Sequence, residues 1–299
     1  MATQSMGTMF PQELVEDLLN KVTGKSSIAK LATQKPIAFT GQKEFTFSMD
    51  NEIDIVAENG AKSHGGITVA PVTIIPIKFE YGARVSNEFM YASEERKIDI
   101  LKAFNDGFAK KVARGLDLAA FHGVNPRTGK ASTVVGENYL DKKIETKITY
   151  NADTADENLD AAVQAVETAD GEVTGIALAP SFTSAMSKIK VNGVVQYPEF
   201  RFGGKPDSFV GMPLDVNKTV SDMDVTDNAS YGYVGDFANG LKWGYAKEIP
   251  FEVIEYGCPD NDTEAGDLKG HNQVYLRSEV YLGWGFLLDS FAKICTPAE

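Results

Sequence analysis

The chain has 299 residues, 43% of them hydrophobic and 24% charged, enough to bury a sizeable core as one large domain or two smaller ones. Its net charge of −13 argues against a sequence-reading nucleic-acid binder, which presents a basic face. No apolar run is long enough to span a bilayer, the N-terminus MATQSMGTMFPQELVEDLL lacks the charged and apolar regions of a secretory signal, and two cysteines, Cys258 and Cys295, form no disulfide framework and fit inert thiols in a reducing cytosol.

Residues 10–31 read as a short amphipathic helix, with Leu14, Leu18 and Val22 on one face, followed by Gly24 and a second short apolar stretch. This fragment has no core of its own and is expected to pack as an arm on something else, another subunit included. Residues 44–57 alternate: Phe45, Phe47, Met49, Ile53 and Ile55 point one way, and Thr46, Ser48, Asp50, Glu52 and Asp54 the other. That is a strand with one wet face. Turn residues fill 58–66, and 67–85 return as a strand in which Pro71 and Pro76 mark an edge or a bulge. The expected result is a hairpin of about 14 residues per arm that nothing nearby in sequence covers. Such a hairpin is marginal in water, which points to a partner surface.

Residues 93–123 carry the clearest pattern in the chain. Ile98, Leu101, Phe104, Phe108, Val112, Leu116 and Ala119 fall in steps of three and four, the stripe of an amphipathic helix. Ser93 is a plausible N-cap, and Gly123 is the expected stop. At 1.5 Å per residue the helix is about 43 Å long, a spine on which other pieces are mounted. Gly107 and Gly115 inside it mark close packing against a backbone or a place where the helix bends. Beyond the spine, 122–132 form a Gly/Pro loop and 155–169 a compact helix. Residues 175–191 read as a buried strand followed by a helix starting near Pro180, and 192–208 as a loop. Short strands occupy 209–245 and 249–257, an acidic loop 259–270, and long strands 272–294.

No catalytic, cofactor-binding or metal-binding set emerges. The stretch TGKSS at 23–27 has Leu19 where a phosphate loop needs its first glycine. DNDTEAGD at 260–267 has calcium-like carboxylate spacing but Ala265 at the glycine position of an EF-hand loop. His64, His122 and His271 are scattered without metal-ligand spacing.

The order of elements resembles the major capsid proteins of tailed double-stranded DNA bacteriophages, with the α+β Hong Kong 97-type fold. Six stretches carry the likeness. FPQELVEDLLNKVTGKSSIAKLA is similar to the family's N-arm, and EFTFSMDNEIDIVAENGAKSHGGITVAPVTIIPIKF to its E-loop hairpin. RVSNEFMYASEERKIDILKAFNDGFAKKVARGLDLAAFHG is similar to the entry strand and spine helix. GIALAPSFTSAMSKIK resembles a strand–Pro–Ser–helix unit of the A-domain. VGMPLDV with VGDFANGLKWG, and VYLRSEVYLGWGFLLDSFAKI, resemble later A- and P-domain strands.

The resemblance implies a structural subunit without enzymatic activity, forming hexamers and pentamers of an icosahedral head in the virion, assembled in the host bacterial cytoplasm. It implies an N-terminal arm at 1–40, an E-loop hairpin at 41–79, a P-domain at 80–150 and 246–284 and an A-domain at 151–245 and 285–299. Expected partners are the chain itself, scaffolding and portal proteins and a decoration protein, with packaged DNA facing the inner surface without specific recognition, and no membrane. The arm begins within about ten residues of Met1, so either the chain is mature or scaffolding comes from a separate protein. Some relatives crosslink a hairpin-tip lysine to an asparagine; here Lys62 sits at the tip, with Asn261 or Asn272 as conceivable partners. Two alternatives stand beside this reading: an encapsulin-type compartment shell, and a soluble cytosolic enzyme with an unrecognised site. Deleting residues 46–74 is expected to leave a folded but assembly-defective subunit.

Overall fold

The computed structural model describes residues 21–22, 25–91, 94–221, 229–247, 251–288 and 290–296. The first elements in chain order are α1 (Ser27–Leu31), β1 (Thr33–Gln34), β2 (Gln42–Met49), β3 (Ile67–Ile74), β4 (Ile77–Ser86), α2 (Asn87–Tyr91) and the spine helix α3 (Glu94–His122). After them come α4 (Leu140–Lys143), β5 (Thr146–Thr149), α5 (Ala155–Thr168), β6 (Gly175–Leu178), α6 (Pro180–Met186), β7 (Lys190–Val191), β8 (Val194–Val195), β9 (Ser208–Phe209) and β10 (Met212–Val216). The chain closes with β11 (Ser230–Gly235), α7 (Phe237–Gly240), β12 (Leu241–Lys247), β13 (Phe251–Ile254), β14 (Gln273–Phe286) and β15 (Phe291–Cys295).

The spine forms where the periodicity places it. Phe108, Val112, Leu116 and Ala119 are buried; the side chains of Ile98 and Leu101, and the Ser93 cap, lie outside the described residues. Gly123 ends the helix in the left-handed region at φ +69, which glycine adopts without a Cβ penalty. Its N–H donates to Ala119 O and that of Val124 to Leu118 O. The two interior glycines differ. A Cβ at Gly115 would press on Phe79 and Pro126, whereas Gly107 is exposed with nothing within 4 Å, so packing inside the chain accounts for Gly115 alone.

The helix lies on a five-stranded sheet built around β14. One edge of β14 pairs with β4 over ten residues, and the other with β12 and then β13; β1 runs parallel to β12. Trp243 and Trp284 fill the space between helix and sheet. Each indole N–H finds a carbonyl, Ala32 O at 3.2 Å and Asn138 O at 2.8 Å, as a buried tryptophan requires. A six-stranded sheet, ordered β5-β15-β11-β6-β10-β9, packs with α5 and α6 around a second core of Leu159, Ile176, Phe182, Leu214, Val234 and Ile294. Phe121 at the end of the spine stacks on Tyr233 of β11 at 4.8 Å, tying the two sheets together.

Two expectations need correction. The hairpin arms are eight residues each, because the β2–β3 ladder ends at Met49↔Ile67. Extending that register would set Ile53 opposite Ser63 and Ile55 opposite Ala61, giving no pair of large apolar side chains to hold it. The returning strand also breaks at Ile75–Pro76: β3 pairs only with β2, and β4 belongs to the large sheet, since proline supplies no N–H to carry a ladder across. The second correction concerns the arm. From Ser26 to Ile37 it packs on its own chain, with Ile28, Leu31 and Ile37 buried and Lys35 and Ile37 donating to Trp243 O and Tyr245 O. Gly244 makes room for this: a Cβ there would lie 1.7 Å from Lys35 O. Leu14 and Leu18 lie outside the described residues; Val22 is buried.

Candidate functional site: an uncovered hairpin and two buried carboxylates

The hairpin presents one apolar face. Phe45, Phe47 and Met49 stand opposite Pro71, Val69 and Ile67, and all but Pro71 are among the exposed large hydrophobics. The loop beyond continues this character, with Ile53 94% and Ile55 98% exposed. Isolated exposed apolar residues are ordinary, but a contiguous patch of this kind marks an interaction surface. Its base is firmly seated. Ile74 is buried against Gly283 and Gly285, where a Cβ at 285 would meet Ile74 Cγ1 at 2.6 Å, and Glu44 pairs with Lys242 at 2.9 Å. At the far end of the ladder the Gly66 N–H donates to Asp50 Oδ1 at 2.5 Å.

Two carboxylates join the remaining parts, Asp117 fully buried and Asp141 with its side chain 10% exposed. Asp117, halfway round from the apolar stripe of the spine, is fully enclosed and accepts five donors: Ser26 Oγ (2.5 Å), Ser27 N (3.1 Å), Ile28 N (3.2 Å), Thr219 Oγ1 (2.6 Å) and Asn217 Nδ2 (3.4 Å). Within the TGKSS stretch, Ser26 caps α1, and the donors of Ser26 and Ser27 are taken by the chain's own Asp117 carboxylate; Thr23 and Gly24 lie outside the described residues. Burial pushes the Asp117 carboxyl up to about 6, against the pull of its donors. An unfolded Asp titrates near about 3.9, so the folded state holds its proton more tightly. Stability from this group is greatest below the unfolded value and is lost as pH rises through about 6, by roughly 3 kcal/mol in all. Asp117→Asn is expected to remove that slope. The difference between wild-type and variant urea midpoints, read from pH 4 to 7, checks it, and an unchanged slope would refute the assignment.

Asp141 of α4 is the second. Its Oδ2 lies 2.7 Å from His122 Nδ1, and its Oδ1 receives Lys293 Nζ and Tyr233 OH, each at 2.7 Å. His122 Nε2 lies 3.0 Å from Thr219 O, and a carbonyl only accepts, so Nε2 carries a proton. Burial raises the Asp141 carboxyl, but the His122 hydrogen bond, the His122 charge and Lys293 outweigh it and hold it below the usual carboxylate range.

The other polar stretches are spent locally. Arg84 grips Asp260 through Nε (2.6 Å) and Nη2 (2.7 Å) and holds its carboxyl far below the usual range. Asp262 accepts Glu264 N and Ala265 N, and Asp267 accepts Gly257 N, Lys269 N and Gly270 N. The calcium-like spacing thus serves Asx turns. His271 Nδ1 bonds to Asp267 O at 2.9 Å, and His64 is exposed in the hairpin loop. Lys62 is also exposed in that loop. Asn272 is held at both ends of its amide, by Glu88 and by Asn87 Nδ2, while Asn261 is exposed in the left-handed region. Cys258 is exposed and Cys295 buried. Among the described residues no group of three His, Cys, Asp or Glu is placed to hold a metal ion, and no helix is long and apolar enough to cross a membrane.

An extended apolar element left exposed by the described residues, beside carboxylates that fasten arm, spine and sheets together, is the pattern of a structural subunit. The model of the phage capsid family matches residues 7–288, and the chain belongs to that family. It is similar to a solved chain of Mycobacterium phage Ogopogo at 29% identity, covering 91% of this chain and 92% of that one with a TM-score of 0.78. A chain of Gordonia phage Cozz follows at 25% identity, covering 92% and 87%, with a TM-score of 0.75. The capsid of a native GTA particle shares the fold at 16% identity, covering 91% and 90%, with a TM-score of 0.64. No curated protein sequence is significantly similar to the chain. The protein is a major capsid protein, a component of the virion that assembles with itself into capsid shells. The compartment-shell alternative is not favoured.

Proposed function

We propose that the chain forms hexamers and pentamers that close into an icosahedral head around double-stranded DNA, with the hairpin of each subunit lying across a neighbour. The apolar face of β2–β3, which the described residues leave exposed, carries this reading, because another copy can cover it. Scaffolding and portal proteins direct assembly in the host bacterial cytoplasm, and a decoration protein binds the finished shell. The inner face meets packaged DNA without specific recognition, in keeping with the charge of −13, and the subunit performs no catalysis. We divide it into an arm (1–40), a hairpin (41–79), a P-domain (80–150 and 246–284) and an A-domain (151–245 and 285–299). Three pairings cross these limits by their hydrogen bonds: β1 with β12, β5 with β15, and β12 with β14.

Negative-stain microscopy with light scattering on the purified protein, with and without a crowding agent, tests the proposal. Hollow shells or rings of five and six are expected. A dimer or tetramer that never grows further would refute it, and shells packed with protein cargo would favour an encapsulin-type compartment instead.

A further inference from the structure

One flank of the six-stranded sheet gathers cations that the chain does not use. Lys188 follows α6, Lys190 lies on β7, and Arg201 and Lys205 lie on the loop between β8 and β9; all four residues are exposed. Lys205 is part of the wall of an open hollow of about 330 Å³ between α6 and the 200–205 loop, lined also by Ser187, Phe200 and Phe202. The Phe200 ring lies 5.3 Å from Phe209, which sets this loop against β9, an edge strand of the sheet. Two acids share the stretch, Glu199 and Asp207, and Asp207 is taken by Lys30 of the arm at 2.8 Å. None of the four cations has an ion-pair partner among the described residues.

The other flank carries the opposite sign. There α5 packs on β15, β11 and β5, and β5 is the second edge strand. With strands about 4.8 Å apart, the two edges of six strands are separated by roughly 24 Å. Ala155, Leu159, Ala162 and Val166 are the buried side of α5. Helical spacing puts Glu157, Asp160 and Glu167 on the side away from them, and all three are exposed, as are Asp170 and Glu172 beyond the helix. Asp156, on the flank of the first turn, accepts Tyr197 OH at 3.1 Å and is not part of this face. Residues 151–187 contain no lysine or arginine, and the five exposed carboxylates have no ion pair among the described residues.

We propose that the basic flank of one copy docks on the acidic face of α5 of the next, a head-to-tail contact that repeats around a closed ring; this rests on the reading that the chain forms pentamers and hexamers. The two surfaces lie at opposite edges of one sheet, as a heterologous interface requires. Complementary charge fixes register and speeds encounter, and like charges brought together are strongly unfavourable, so the same charges that join flank to face keep two like flanks apart. A second copy fits the basic flank better than a nucleic-acid backbone does. Every copy carries the anions the flank lacks, and the fully exposed Phe202 ring beside the cations offers apolar contact that phosphates do not use.

The test uses the full chain under conditions where the wild type forms shells. One variant reverses the basic flank (Lys188→Glu, Arg201→Glu, Lys205→Glu) and a second the acidic face (Glu157→Lys, Asp160→Lys, Glu167→Lys). All six positions are exposed, so both are expected to melt close to wild type. Each alone is expected to lower the assembled fraction by about tenfold or more, because like charges then meet at every contact. The chain with all six reversals restores opposite signs and is expected to form shells again. An equimolar mixture of the two single-flank variants joins only by alternation, which closes six-membered rings and no five-membered ones. Where a triple variant melts well below wild type, the single reversals Arg201→Glu and Asp160→Lys are expected to lower assembly in the same direction. Normal assembly of either single-flank variant, or failure of the folded six-reversal chain to recover, overturns the contact. Normal shells from the basic-flank variant that no longer retain duplex DNA would assign those cations to nucleic acid and overturn it as well. A wild-type chain that never forms rings would instead count against the shell reading and, through it, against this contact.

Discussion

Asp141→Ala is expected to destabilise the subunit by roughly 3–5 kcal/mol, the size of effect seen when one partner of a buried ion pair is removed. The carboxylate is the common partner of His122 and Lys293, whose side chains are only 1% and 4% exposed. Without it, the Lys293 ammonium sits in a closed interior beside Tyr233 OH, and the Nδ1 edge of His122 loses its partner. Native stability totals about 5–15 kcal/mol, so the loss is a large fraction of the whole. It falls at the junction of spine and second sheet. Lys293→Met added to Asp141→Ala is expected to restore part of it, because that change removes an orphaned cation. Because the folded carboxyl is held below its unfolded value, the contribution of Asp141 is present above about pH 3.9 and fades as pH falls through the folded value. That is opposite in sign to Asp117. Urea midpoints for the three proteins at pH 7 decide the matter: a loss below about 1 kcal/mol for Asp141→Ala would show that the junction does not depend on this charge.

The parts of this fold legible in the sequence are those governed by local periodicity. The steps of three and four from Phe104 to Ala119 specify the spine, and Gly123 its end. The alternation at 44–49 specifies β2, and Pro180 the start of α6. What stayed hidden depends on distance along the chain. Asp117 lies halfway round the helix from the apolar stripe and looks like an ordinary solvated carboxylate; its hydroxyl donors come from Ser26 and Thr219, 91 and 102 residues away. His122 likewise looked like one of three scattered histidines until α4 and β15 brought Asp141 and Lys293 to it. The alternation at 53–55 was misleading for a related reason. Period two marks the ability to form a strand, whereas a ladder also needs a partner, and 58–66 provide none. Family resemblance supplied what local pattern could not, by linking elements whose order is informative even where each is weak.

Excising residues 47–69 and closing the gap with a two-residue Asn-Gly turn is expected to abolish assembly while leaving a folded subunit. The limits follow from packing. Ile74 is 1% exposed and fills the space left by Gly283 and Gly285, so removing 46–74 would cut into the core; Thr46 and Ala70 face each other across the ladder, and Ala70, unlike Pro71, has the N–H that closes a two-residue turn. The excised segment contributes almost nothing to its own chain, because Phe47, Met49, Ile67 and Val69 are all more than half exposed. The urea midpoint should therefore barely move. For the shell the arithmetic runs the other way. Burying such a side chain on a neighbour contributes about 1.5–3 kcal/mol. Four of them at even 1 kcal/mol each, after the cost of ordering, amount to about 4 kcal/mol, close to three orders of magnitude in the association constant. Each subunit both gives and receives this contact, so a closed shell multiplies the loss. Phe47→Lys with Val69→Glu offers the gentler version: an opposite-charge pair across the ladder keeps the hairpin and its backbone pairing while making its apolar face hostile to a neighbour. Light scattering and electron microscopy of both variants should show folded subunits that do not grow. Shells of normal size and yield from the excised chain would mean that the hairpin is an ornament and that the copies hold together elsewhere.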